Sequence, residues 1–123
     1  MEAGGLGKVY QDGEIIVRQG EVGNAMYVIQ SGKAEVVQEV NGKSVPLAVL
    51  GENDFFGEMA LFENQVRAAT VRALGGVRVL TVDKKTLLRR IQQDPTLAFR
   101  MLEHLCHRLR KLDSEHARIK TAQ

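Results

Sequence analysis

The sequence predicts a fold in which short strands come first and helices follow, the strands closing into a sandwich or a roll rather than staying a flat sheet. Two observations carry this prediction. From Lys8 to Asp83 short apolar runs alternate with turn residues, whereas from Lys84 onward the chain lacks glycine and is rich in Leu, Arg and Lys. At 123 residues and 44% apolar composition it can bury one sizeable core but not two, so a single domain over 1–123 is expected.

Segments 14–17, 25–30, 33–40, 43–50, 67–74 and 77–82 have strand length and β-branched content. The punctuation between them fits. Asp12-Gly13, Ser31-Gly32, Asn41-Gly42 and Gly75-Gly76 can all supply the positive φ of a tight turn. Asn41-Gly42, between the run ending at Val40 and the run opening at Lys43, is the strongest hairpin signal. Pro46 has no amide hydrogen and belongs at an edge or a bulge.

A short helix follows over about 83–93, with Asp83 able to cap it. A longer one runs over about 95–121, with Asp94 as N-cap and Pro95 at the first helical position. Along it Ala98, Leu102, Leu105, Leu109, Leu112, His116 and Ile119 recur at spacings of four and three, the pattern of a coiled-coil seam. The first turns, with Leu97, Phe99 and Met101, are expected to pack on the strands. Beyond Leu105 the apolar face narrows to a seam flanked by Arg108, Arg110, Lys111, Asp113 and Glu115, which predicts a homodimer through Leu105, Leu109 and Leu112.

Charge and composition exclude several classes. Seventeen basic against fifteen acidic residues leave a net charge of +2, too little for a general pull toward nucleic acid or membrane. Any affinity for an anion must be local. Cys106 is the single cysteine, which rules out an internal disulfide or a cysteine metal site and fits a reducing cytoplasmic compartment. Residues 1–7 lack the basic and apolar regions of a signal peptide, and no apolar run approaches the roughly 20 residues that span a bilayer. The chain reads as soluble and unprocessed.

The segment from Phe55 to Val71 carries the function. Gly57 permits close backbone approach, Met59 to Leu61 can form one helical turn, and Arg67 enters a run of small residues. Main-chain N–H groups at the start of a helical turn favour a phosphate. Arg67 supplies a planar, permanently charged fork that can pair two phosphate oxygens, and Ala68 and Ala69 leave room beside it. Glu58 would repel a phosphate, but it makes sense as the acceptor of a sugar hydroxyl on the same ligand. Taken singly, Arg67 and Glu58 would be ordinary surface charges; their order and spacing change that reading.

The segment resembles the phosphate-binding cassette of the cyclic nucleotide-binding domain family. Phe56-Gly57-Glu58-Met59-Ala60-Leu61 and, five residues later, Arg67-Ala68-Ala69 match its pattern. A second family pattern is met by Ile16-Val17-Arg18-Gln19-Gly20-Glu21-Val22-Gly23, then Met26-Tyr27-Val28-Ile29 and Gly32. The resemblance covers about residues 8–119. It implies an antiparallel β-roll (a double-stranded, jelly-roll-like β-helix) over about 8–83 with its cassette at 56–69, then helices at 84–93 and 95–121.

By the same resemblance, Arg67 pairs the cyclic phosphate, Glu58 the ribose 2′-hydroxyl, and the backbone of Gly57, Ala60 and Ala68 completes the cradle, with Phe56, Met59, Leu61 and Ala69 in the same cassette. The ligand is cAMP, possible also cGMP, with no other cofactor. Relatives selective for cGMP often carry Thr or Ser beside the arginine, so Ala68 leans toward cAMP. Three departures from the family pattern stand out. Only residues 1–7 precede the first strand, as expected of a piece cut from a longer protein whose effector domain lies elsewhere. No helix-turn-helix follows the long helix, so no nucleic-acid contact is expected. The base-capping region falls at Leu112-Asp113-Ser114, with Leu112 the candidate cap.

Rival readings fare worse. A cupin-type enzyme shares the roll but needs metal ligands on strands, whereas His104, His107 and His116 all fall on the long helix. No nucleophile and base pair stands out. The basic run Arg108, Arg110, Lys111 has acidic neighbours and reads as a coiled-coil flank. The remaining competitor is a roll that dimerises as an interaction module without binding nucleotide.

Overall fold

The computed structural model describes residues 7–61 and 66–122, with side chains described up to Arg110. It divides into two compact units, Met1–Lys84 and Lys85–Gln123. The first unit is an antiparallel β-roll of β1 (Lys8–Tyr10), β2 (Ile15–Val17), β3 (Ala25–Val40), β4 (Lys43–Leu50), β5 (Phe55–Phe56) and β6 (Thr70–Asp83). A 3₁₀ turn, Glu58–Leu61, lies between β5 and β6. The sheet runs β1-β6-β3-β4, with β2 added to β6 and β5 to β3.

Asn41 and Gly42 take φ of 52° and 78°, and Val40 pairs with Lys43, so the strongest hairpin signal forms the β3–β4 hairpin. Positive φ at both central residues gives the turn a twist that matches its strands. Pro46 sits on the end strand of that order, where the register slips between Val36 and Val37: Val36 pairs with Ala48 and Val37 with Pro46. The missing amide is thus accommodated at an edge and a bulge.

Two expectations are corrected. Ser31-Gly32 and Gly75-Gly76 do not end strands but bend them, so the segments expected as 25–30 and 33–40 are one strand, and so are most of 67–74 and 77–82. The two bends face each other. The β3–β6 register changes from Ile29↔Val79 to Ser31↔Arg78 and then to Lys33↔Leu74. At the crossing a Cβ on Gly32, whose φ is +87°, would lie 2.3 Å from the Gly76 carbonyl oxygen. Glycine there lets both strands turn together without breaking the sheet. The second correction concerns Arg67, Ala68 and Ala69, which precede β6 rather than opening a strand.

The core collects Val17, Ile29, Ala34, Leu50, Phe56, Val71, Ala73, Val77 and Val79, with Tyr10, Ile16, Tyr27 and Val36 packed against it. Buried Met26, Val28 and Ile29 place the expected apolar run inside, while Tyr27 stays half-buried. That exception matters for the site.

The second unit contains α1 (Lys84–Gln93) and α2 (Thr96–Ala122). Asp83 directly precedes α1. The Asp94 carboxylate accepts the Thr96 N–H at 3.2 Å, as an N-cap should. The Thr96 hydroxyl, before any other influence, holds this carboxyl below the ordinary Asp range. Within α2, Leu97 is buried and Ala98, Met101 and Leu105 are half-buried, whereas Phe99, Leu102, Cys106 and Leu109 are exposed. The exposed apolar row therefore runs 99, 102, 106, 109: it keeps Leu102 and Leu109 of the expected seam, leaves out the half-buried Ala98 and Leu105, and takes in Phe99, which was expected to pack with the first turns. Side chains of Leu112, His116 and Ile119 lie outside the described residues. Among the described residues no helix is long and apolar enough to cross a membrane.

Candidate ligand-binding site

The site is built where β5 meets β3. Phe56 pairs with Tyr27 across the strands, and their rings stack at 5.2 Å between centroids and 17° between planes. Phe55 and Phe56 are both buried, which anchors the chain just before it turns. Gly57 then takes φ +79°, a value open to glycine at little cost. In the turn that follows, the Ala60 N–H donates to the Gly57 carbonyl at 3.2 Å. Ala60 and Leu61 are buried, Met59 is exposed and Glu58 is half-buried. Residues 62–65 of the cassette lie outside the described residues.

Arg67 is held through its main chain before its side chain acts. Its N–H donates to the Glu21 carbonyl at 2.8 Å, its carbonyl accepts the Gly20 N–H at 2.9 Å, and Val22 and Val66 form a bridge beside it. The segment 20–22 of the second family pattern thus positions the arginine of the cassette. The guanidinium turns inward: Nη2 donates to the Ala25 carbonyl at 2.9 Å and Nη1 to the Gly57 carbonyl at 3.3 Å. Its Cζ lies 5.6 Å from the centroid of the Tyr27 ring, within cation–π range.

Two glycines make that seat possible. A Cβ on Gly23 would lie 2.1 Å from Arg67 Nη2, and one on Gly57 would lie 2.4 Å from Nη1. The acceptors just named are neutral carbonyls, which do not cancel the positive charge. A guanidinium carries five N–H donors, so two such bonds leave capacity for an anion.

Arg67 opens onto a cleft of about 300 Å³ whose walls include Ile15, Arg18, Val22, Gly23, Asn24 and Tyr27. That volume is at the lower end of small-molecule sites. The structure brings Gly57 to the guanidinium through its carbonyl. Of the expected site residues that are described, Arg67 lines this cleft and Phe56, Gly57, Glu58, Met59, Ala60, Leu61, Ala68 and Ala69 do not; Ala68 is exposed and Ala69 half-buried. Gly23, the Ala25 carbonyl and the Tyr27 ring were not singled out as site parts by sequence reasoning. Their signal was present in the second family pattern, since the glycine-bounded run 20–23 precedes the strand that bears Tyr27.

Thr70, buried, accepts the Gln19 N–H on its hydroxyl at 2.9 Å and lines a second cleft, of about 540 Å³, together with Arg18, Gln19, Glu39 and Arg72. Arg72 is engaged there by Glu35 at 2.7 Å.

A half-buried cation seated on neutral carbonyls beside a cleft of a β-roll is chemically suited to an anion. The family model of the cyclic nucleotide-binding domain matches residues 7–94, and the chain belongs to that family. A cAMP-dependent protein kinase regulatory subunit of Schizosaccharomyces pombe is 48% identical over 81 residues, covering 66% of this chain and 19% of the relative. The cGMP-dependent protein kinase egl-4 of Caenorhabditis elegans is 45% identical over 80 residues, 63% of this chain and 10% of the relative. Among solved structures, the catabolite activator protein of Thermus thermophilus aligns with a TM-score of 0.77 at 32% identity, over 88% of this chain and 51% of that one. The chain thus spans from a tenth to about half of these proteins.

Proposed function

We propose that this chain is a non-catalytic sensor that binds cAMP in preference to cGMP and passes its occupancy on through α1 and α2 to an effector. The observation that carries the reading is the inward seat of Arg67 on neutral carbonyls beside an open cleft. In it a cyclic phosphate meets a half-buried, oriented fork rather than a freely moving surface arginine. Glu58, next to Gly57, takes the ribose 2′-hydroxyl, and the main chain of Gly57, Ala60 and Ala68 completes the phosphate contact. Phe56, Met59, Leu61 and Ala69 shape the cassette around them, and Leu112 is the proposed base cap.

The preference for cAMP rests on position 68, where alanine offers no hydroxyl to a purine amino group. Thr70 is the nearest alternative, but its hydroxyl is turned to Gln19 on the side of the second cleft. Self-association through α2 is part of the same proposal, supported by the exposed row Phe99, Leu102, Cys106 and Leu109 at spacings of three and four.

Thermal unfolding with cAMP, cGMP and inorganic phosphate tests the reading. A ligand that binds only the folded state adds about 2.7 kcal/mol at a hundred times its Kd. The expected order of stabilisation is cAMP, then cGMP, then phosphate. No shift with either nucleotide would favour an interaction module that has lost the ligand.

A further inference from the structure

Residues 67–69, which present the arginine, have no strand ladder to orient them, because β6 begins only at Thr70. Two of their peptide groups are held from outside instead. The Arg67 carbonyl accepts the Gly20 N–H at 2.9 Å. The Ala68 carbonyl accepts Nε2 of Gln38 at 3.3 Å, from a residue 30 positions away. In a trans peptide the C=O and N–H point in opposite directions, so these two bonds fix both peptide planes that flank Ala68.

Gln38 is well placed to do this. It stands on β3 one residue past Val37, which pairs with Thr70 at the very start of β6. Its support is itself braced: the Gln19 side chain accepts the Glu39 N–H at 2.8 Å and donates to the Glu39 carbonyl at 3.3 Å. The Gln19 N–H meets the Thr70 hydroxyl, so the end of β3 is tied to the chain just after the arginine.

We propose that Gln38 is a positioning residue for phosphate recognition: by holding the Ala68 carbonyl it sets the direction of the Ala69 N–H, the other end of the same peptide group, toward one exocyclic oxygen of the cyclic phosphate. The proposal rests on the nucleotide reading above and adds a residue outside the cassette. Gln38 touches no ligand atom itself. It acts through the backbone of residues 68 and 69.

The test is Gln38→Met, which keeps the length of the side chain and removes the donor. Calorimetric affinities are measured for cAMP and for its two phosphorothioate diastereomers, in each of which sulfur replaces a different exocyclic oxygen. Loss of one neutral hydrogen bond that orients the cradle is expected to weaken cAMP binding about threefold to tenfold. That penalty should persist for one diastereomer and vanish for the other, because only one oxygen faces the affected amide. Unchanged cAMP affinity in the variant, or an equal penalty for both diastereomers, overturns the proposal while leaving the sensor reading intact. Absence of cyclic nucleotide binding by the unmodified protein overturns the sensor reading and this proposal with it.

Discussion

Nη2 of Arg67 donates to the main-chain carbonyl of Ala25 at 2.9 Å, which joins the cassette arginine to the first residue of β3. The bond spans 42 positions of sequence. It exists because two positions beside the guanidinium, Gly23 just before β3 and Gly57 just after β5, carry no side chain with which it would collide.

Gly23→Ala should therefore disable the arginine without touching it. Gly23 is not in the left-handed region, so alanine adds no backbone strain, but its methyl carbon would stand 2.1 Å from Nη2 and expel the guanidinium from its seat. Cyclic nucleotide affinity is expected to fall at least about tenfold, or about 1.4 kcal/mol, while circular dichroism stays that of the folded protein. Undiminished affinity by calorimetry would show that the seat is irrelevant to binding.

Selectivity is addressed by Ala68→Thr. The side chain at 68 is exposed, so the added hydroxyl can be accommodated and offered to a purine amino group. The ratio of cGMP to cAMP affinity should rise about threefold to tenfold, the worth of one neutral hydrogen bond. Competition binding with both nucleotides reads this directly, and an unmoved ratio would remove position 68 from the account of selectivity.

The bend of the roll has its own test. Gly32 and Gly13 have nearly the same φ, +87° and +82°, but a Cβ on Gly32 meets the Gly76 backbone whereas one on Gly13 meets nothing within 4 Å. Gly13→Ala is expected to cost only the backbone strain, of order 1 kcal/mol. Gly32→Ala should cost clearly more, because it also forces β3 and β6 apart. Equal midpoints of the two variants in urea would contradict the description of a close crossing.

These glycines also mark where sequence reading stops. Asn41-Gly42 and Asp94 were legible because hairpin turns and N-caps are local: the residues that make them are the residues that need them. Ser31-Gly32 and Gly75-Gly76 have the same turn chemistry, yet they bend continuous strands. The choice depends on which strand runs alongside, which is tertiary information. β5 is only two residues, Phe55–Phe56, too short to show a period. At the site, Arg67 and Gly57 stood out by spacing and do come together, 3.3 Å from Nη1 to carbonyl oxygen. The Ala25 carbonyl and the Gln38 amide could not be anticipated, because a backbone acceptor has no sequence signature and a lone glutamine on a strand looks like any solvent-facing residue.

The most direct measurement is a calorimetric titration of the protein and of Arg67→Leu with cAMP. The account predicts that the variant remains folded, since Arg67 adds a charged fork to the cleft rather than apolar area to the core, and that its affinity drops at least about tenfold, roughly 1.4 kcal/mol. Equal affinities for the two proteins would contradict it.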